Sequence, residues 1–410
     1  MAQTVPTRGL QRGERNYRLA TVAVLAAGLA VFNGLYVTQA MLPALVDAFD
    51  TTPTVAALTV SVATGMLAIC VVPASILSEH FGRNRVLIIS AIAASLIGLT
   101  LPLANTIHQL IALRLLHGAF IAGTPAVAMA WLAEELDHRF LARAMGVYVA
   151  GNSVGGLTGR LIPSMLLEVT DWRVAILCAS LLALGFAIVV AVTLPRQQFF
   201  QPKALQFRTE YESMVTHWKT PSLAAMFLIA FLAMGVFVSL YNFLAFRLID
   251  YFELSPGIVA LAFLAYLSGT YSAARAGVLA ERFSRGTVLV VSTSAFIIGL
   301  LLTATPWLWL TLTGLLIFTA SFFAAHSIAS GWVGAIAEHN RAEASSMYVL
   351  CYYLGSSVVG ALAGLIFTAL PWWGFVGTLA LLASAMLVLL ASAMLVLGVF
   401  AHARQTHNAD

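Results

Sequence analysis

Residues 75–85 read SILSEHFGRNR, and residues 277–285 read GVLAERFSR. Each stretch closes an apolar run with a glutamate (Glu79, Glu281) and opens the next run with an arginine (Arg83, Arg285) after a tight turn. The segments LSEHFGR (77–83) and LAERFSR (279–285) lie 202 residues apart (279 minus 77). Two further pairs recur at nearly the same spacing. DAFDTTPTVAAL at 47–58 aligns with DYFELSPGIVAL at 250–261, an offset of 203, and YVAGNSVGG at 148–156 aligns with YYLGSSVVG at 352–360, an offset of 204. Shared hydrophobicity does not align proline and charged positions. The chain is an internal duplication.

Outward from these turns, the composition defines the solvent. Of 410 residues 60% are hydrophobic and only 9% charged, where a soluble domain carries about 25% charged; mean hydropathy is +0.92. A water-soluble globular protein is excluded. Bilayer-spanning helices need about 20 apolar residues, and runs of that length predict twelve spans near 19–46, 54–78, 86–104, 109–133, 144–167, 173–194, 222–249, 256–279, 287–304, 308–336, 344–370 and 373–401. The expected fold is therefore an all-α integral membrane protein, with twelve transmembrane helices arranged as two pseudo-symmetric six-helix bundles. The expected domains are an N-terminal tail (1–18), a first bundle (19–194), an interdomain loop (195–221), a second bundle (222–401) and a C-terminal tail (402–410). Six spans return the chain to its starting side, so the two copies insert in parallel. In transporters built this way the substrate site lies between the halves.

Charge placement predicts orientation. With the N-terminus cytoplasmic, 16 of the 21 Lys and Arg collect on that side, and only Arg173 and Arg247 fall on the other. Both termini and the 195–221 loop are then cytoplasmic. The first apolar run lacks a small-residue cleavage signature and reads as a retained span. The net charge of +4 is accounted for by orientation, so nucleic acid is not an expected partner. The three cysteines, Cys70, Cys178 and Cys351, lie inside apolar runs and suggest neither disulfides nor a metal site. No Walker motif or catalytic grouping is present, which disfavours ATP drive and leaves a membrane-embedded enzyme or lipid-handling protein as the weaker alternative. No cofactor is expected.

The loop SILSEHFGRNR resembles the major facilitator superfamily signature G-x-L-x-D-R-x-G-R-R, with Ser75 for the first glycine and Glu79 for aspartate; GVLAERFSR is its second-half copy. Leu113-Arg114-Leu115-Leu116-His117-Gly118 resembles the fourth-helix motif R-x-x-Q-G. Gly151-Asn-Ser-Val-Gly155-Gly156-Leu-Thr-Gly159-Arg160 resembles the fifth-helix antiporter motif G-x-x-x-G-P-x-x-G-G, with Gly156 for proline and Arg160 for the last glycine. The resemblance covers essentially the whole chain and is nearest to twelve-span bacterial drug:proton antiporters and arabinose-efflux-like permeases. It implies a multi-pass protein of the bacterial inner membrane, acting as a monomer. It also implies a gating latch at Glu79, Gly82 and Arg83, with Glu281, Arg282 and Arg285 as the second copy.

Ionisable and polar groups at membrane depth are costly and mark function. All 17 acidic residues lie at span ends, in loops or in tails. The interior set is Asn33, Tyr36 and Gln39, then Arg114 and His117, then Tyr148, Asn152 and Arg160; in the second half it is Tyr241 and Asn242, then Tyr266, Tyr271 and Arg275, then His326, then Tyr348, Tyr352 and Tyr353. The third, sixth, ninth and twelfth spans hold no interior Asn, Gln, His, Tyr or charge, which suits lipid-facing helices. The spacing of Asn33, Tyr36 and Gln39 predicts one face of the first helix. Arginine does not release its proton, whereas histidine titrates near neutrality. His117 and His326 are thus the candidate coupling residues, with Asp47 or Glu134 as a weaker choice. An arginine-bearing cavity without a central acid favours neutral or anionic amphipathic substrates. The predicted function is proton-coupled export of small amphipathic compounds by alternating access. A dedicated exporter of a sugar, amino acid or other metabolite is the alternative.

Overall fold

The computed structural model describes residues 9–202, 205 and 207–407. Twelve long helices follow one another: α1 (Arg15–Phe49), α2 (Pro53–Phe81), α3 (Arg83–Leu103) and α4 (Ile107–Glu135), then α5 (His138–Leu166). They continue with α6 (Trp172–Thr193), α7 (Pro221–Tyr251), α8 (Pro256–Phe283), α9 (Arg285–Leu302), α10 (Leu308–Ile336), α11 (Glu343–Ala369) and α12 (Trp372–Leu395). All except α5 are long and apolar enough to cross a bilayer. Helix α5 has 29 residues, about 43 Å of helix, and falls short only in hydropathy. Arg139, Arg143, Asn152 and Arg160 occupy it. Arg8 and Lys203 of the basic residues, with all of residues 1–8 of the N-terminal tail, lie outside the described residues, as do 408–410.

Local chemistry sets the ends. Thr52 accepts a hydrogen bond from the Val55 N–H at 3.3 Å ahead of Pro53, and Asp171 accepts from Val174 N–H at 2.9 Å; both are N-caps. Gly82 separates α2 from α3 at φ +102°, a conformation that favours glycine. Several spans are broken. The regular part of α1 stops at Leu35, a 3-10 turn occupies Gln39–Met41, and a short helix follows from Leu42 to Phe49. Tyr36 and Gln39 therefore project from an interrupted segment, not from the continuous helical face that their spacing predicts. Helix α8 is likewise divided into Pro256–Ala262 and Ala265–Phe283.

The chain forms two compact units, Met1–Phe207 with Leu248–Phe263, and Arg208–Arg247 with Leu264–Asp410. Within the first, α1 packs on α5 and α6, α2 on α4, and α3 on α6. Within the second, α7 packs on α11 and α12, α8 on α10, and α9 on α12. The same helix pairs recur in each copy of the duplication. The α1–α5 pair is tight because small residues let the backbones approach: a Cβ on Gly151 would lie 2.6 Å from the Leu25 carbonyl oxygen. Gly355, its repeat partner, meets the Phe231 carbonyl in the same way.

The first unit also holds Pro256–Ala262. Glu168, just after α5, accepts from the Gly257 N–H at 2.6 Å, and the Ser164 hydroxyl donates to the Pro256 carbonyl at 3.0 Å. The Ser255 hydroxyl and the Gly257 N–H hold the Glu168 carboxyl below the usual carboxylate range.

Candidate functional site

In the first unit the polar residues gather at the break in α1. A helix that stops at Leu35 leaves its last carbonyls short of regular helical partners, and the Gly34 carbonyl receives a long 3.4 Å bond from the Val37 N–H. Arg114, from α4, supplies the donors. Its Nη1 donates to the Gly34 carbonyl at 2.8 Å and its Nη2 to the Leu35 carbonyl, while Nε donates to the Thr59 carbonyl on α2 at 2.9 Å. Nη1 also donates to His117 Nδ1 at 2.8 Å. Four of the five guanidinium N–H groups are thus committed within the protein, three of them to main chain. A positive charge also suits the C-terminal end of the helix stretch. Arg114 ties three helices together. The bond from Arg114 makes Nδ1 the acceptor, so His117 carries its proton on Nε2 in this geometry.

Past the break, Tyr36, Gln39 and Arg160 form one buried cluster. Arg160 Nε donates to Gln39 Oε1 at 2.6 Å, and Nη1 to the Gly156 carbonyl at 2.5 Å. Its guanidinium carbon stands 4.0 Å from the centre of the Tyr36 ring, within cation-π range. Asn33 Nδ2 donates weakly to the Thr158 hydroxyl at 3.4 Å, and its Oδ1 is buried without a partner among the described residues. Asn152 sits against the α1 backbone, its Oδ1 2.5 Å from where a Cβ on Gly28 would be.

In the second unit Tyr241, Tyr266, His326 and Tyr352 belong to a continuous aromatic cluster. Phe237 is its hub, stacked on Phe322 at 3.9 Å between ring centres and packed on Tyr241 at 5.0 Å and Tyr266 at 5.7 Å. Tyr241 and the Thr319 hydroxyl share a hydrogen bond of 2.7 Å. His326 Nδ1 lies 3.0 Å from the Tyr348 hydroxyl, and its ring lies 4.5 Å from that of Tyr352, tilted by 37°. Asn242 is buried on α7 beside Tyr241 in sequence. Phe237 and Phe322 carry no signal in a run where phenylalanine is also ordinary core.

At the α2–α3 turn Arg83 joins three groups. Its Nε donates to Glu134 Oε1 at 2.8 Å, Nη2 lies 2.7 Å from that oxygen and 3.4 Å from Glu79 Oε1, and Nη1 donates to the Ser78 hydroxyl at 3.3 Å. The neighbouring loop is tied to the same end. Glu135 accepts from the Gln198 N–H at 2.9 Å and the Phe199 N–H at 3.1 Å, Asn84 Nδ2 donates to the Pro195 carbonyl at 2.5 Å, and the Trp131 indole N–H donates to Asn84 Oδ1. The second copy differs. Glu281, Arg282 and Arg285 are exposed and form no ion pair among the described residues. Sequence reading left Glu135 unassigned, although two adjacent acids at the end of a span facing basic loops were a usable sign.

This architecture has clear relatives. The profile of the Major Facilitator Superfamily matches residues 24–276. The chain is 38% identical over 93% of its length to the inner membrane transport protein YnfM of Escherichia coli, of which the match covers 92%. It is 34% identical over 92% of its length to the MFS-type transporter YybF of Bacillus subtilis, covering 94% of that chain. Among solved structures, a bacterial homologue of the human lysosomal transporter Spinster superposes with a TM-score of 0.73 at 16% identity, covering 93% of this chain and 96% of the other. The duplicated bundles and these relatives define a secondary transporter of the membrane-spanning helical class. The chain belongs to the Major Facilitator Superfamily.

Proposed function

We propose that this transporter exports small amphipathic compounds, neutral or anionic ones in preference, in exchange for protons by alternating access. The reading is supported above all by the Tyr36–Gln39–Arg160 cluster. A guanidinium buried among an amide, a carbonyl and a ring attracts a carboxylate or a strong dipole and repels an organic cation. Within the second unit, Tyr241, Tyr266 and Tyr352 are proposed separately as aromatic contacts for apolar groups. Asn33, Asn152 and Asn242 serve as further polar contacts, and Arg114 acts as a positioning residue for the broken helix.

His326 is the proposed proton carrier in preference to His117. A hydroxyl both donates and accepts, so Tyr348 accommodates either charge state of His326. A second proton on His117 Nδ1 would point at the Arg114 guanidinium. Glu79, Gly82 and Arg83, with Glu134, are proposed as the latch that holds one end closed, on the cytoplasmic side if both termini are cytoplasmic. The protein is proposed to act as a monomer in the inner membrane.

The fixed geometry of Arg160, held at Nε and Nη1, also suits a single carboxylate shape, which favours a dedicated metabolite exporter as the second reading. Counterflow in proteoliposomes with labelled anionic, neutral and cationic amphiphiles separates these. A broad anionic and neutral preference, lost in Arg160→Gln, is the expected result. A preference for cations overturns the charge argument, and activity on one metabolite alone selects the second reading.

A further inference from the structure

At the α2–α3 turn lies a cavity of about 530 Å³ that shares Gly82 with the latch but holds none of its charged residues. Arg85, Arg196 and His80 line it with Phe81 and Phe200, and no acidic residue does among the described residues. Neither arginine has an ion-pair or hydrogen-bond partner among the described residues, and both are exposed at the cavity mouth. The nearby acids are engaged elsewhere, Glu79 and Glu134 on Arg83 and Glu135 on the loop N–H groups.

One lining group points to an anion more sharply. Gln197 Oε1 accepts from the Asn84 N–H at 3.0 Å, which fixes the amide orientation and turns Nε2 the other way. That Nε2 is buried with no partner among the described residues, and a buried donor left unmade is costly. The cavity also adjoins the first turn of α3, where the helix dipole is positive and Gly82 provides no side-chain cap. Its volume is that of a small-ligand pocket, and Phe81, 51% exposed, puts an apolar edge beside the charges at the end of a membrane-spanning helix.

We propose that this cavity binds a phosphate-bearing anion, with Arg85, Arg196 and the Gln197 amide as its ligands. The phosphate comes from an anionic phospholipid headgroup or from a free phosphate compound, and the two are separable. The test titrates the detergent-purified full chain with dihexanoyl phosphatidylglycerol in one arm and inorganic phosphate in the other, with dihexanoyl phosphatidylcholine as control. Saturable binding in either arm is expected, weakened about fivefold in Arg196→Gln and about twenty-five-fold in Arg85→Gln/Arg196→Gln, from roughly fivefold per surface arginine. Arg196 lies in a loop, so the single variant keeps the experiment decisive if the double variant does not fold. Binding in the lipid arm alone assigns the headgroup, and binding in the phosphate arm assigns a free anion. No saturable binding in either arm, or equal affinity in wild type and Arg196→Gln, overturns the site.

Discussion

Arg160 lies with its guanidinium carbon 4.0 Å from the centre of the Tyr36 ring, and the pair links α5 to the interrupted segment of α1. Arg160 stands at the last glycine position of the fifth-helix motif, and Tyr36 sits where the helix has lost its regular backbone pairing. A close helix pair built on Gly151 thus ends in a buried charge. Arg160→Lys keeps the charge but loses the Nε bond to Gln39 and the flat stacking surface. A charge-assisted hydrogen bond is worth roughly 1.5–3 kcal/mol, so export is expected to fall about tenfold or more, read as initial rates in proteoliposomes. Arg160→Gln is expected to fall further and to lose anion preference. Unchanged kinetics in both variants would remove Arg160 from the site.

The two copies of the loop signature are predicted to behave differently. Glu134→Gln weakens the Arg83 hub and is expected to lower stability by about 1 kcal/mol, since the pair is partly exposed and screened. Glu281→Gln is expected to change it by less than about 0.5 kcal/mol. Thermal unfolding of the two variants in the same detergent makes the comparison, and equal losses contradict it.

Close backbone approach makes a third expectation. Gly151→Leu and Gly355→Leu drive a side chain into a main-chain carbonyl, and overpacking of this kind costs about 1–3 kcal/mol or more. Gly146→Leu has nothing within 4 Å of its Cβ and serves as the control. Monodisperse yield on size exclusion is expected to collapse in the first two and persist in the third.

Glu168 supplies a pH dependence. Its carboxyl is held below its ordinary value by Ser255 and Gly257, so the stabilisation is complete above the unfolded carboxylate pKa of about 4.3. It is lost as pH falls through the lowered value in the folded state. Hydrogen-exchange protection over 255–260 is expected to be flat from neutral pH to about 5 and to fall only in stronger acid. Glu168→Gln is expected to be less protected at neutral pH and to show no such step. A step in the variant would assign it to another group.

Much of this was legible in the residues. Apolar run length located the eleven helices that are long and apolar enough to cross a bilayer, because the bilayer imposes both length and composition, and the duplication was visible in its proline and charged positions. Tyr36, Gln39 and Arg160 stood out singly as polar residues inside spans, but their meeting in one cluster was not legible from their positions. The job of Arg114 was not legible. It depends on carbonyls freed by a helix break, and nothing in the run LAVFNGLYVTQAM separates a broken helix from a continuous one. Glu134 and Glu135 looked like span-end charges, since the loop they hold is brought to them only by the fold. The phenylalanines around Phe237 were invisible for a different reason: in a bilayer protein an aromatic ring is as ordinary on the lipid face as in the core.

Proton movement tests the central claim most directly. Inverted vesicles carrying the transporter are given an imposed pH gradient and challenged with anionic, neutral and cationic amphiphiles, with wild type, His326→Gln and His117→Gln compared. Substrate-triggered proton release by anionic and neutral compounds is predicted for wild type and His117→Gln, and its loss for His326→Gln. Substrate uptake with no proton release in wild type contradicts antiport, and full release in His326→Gln contradicts the assigned carrier.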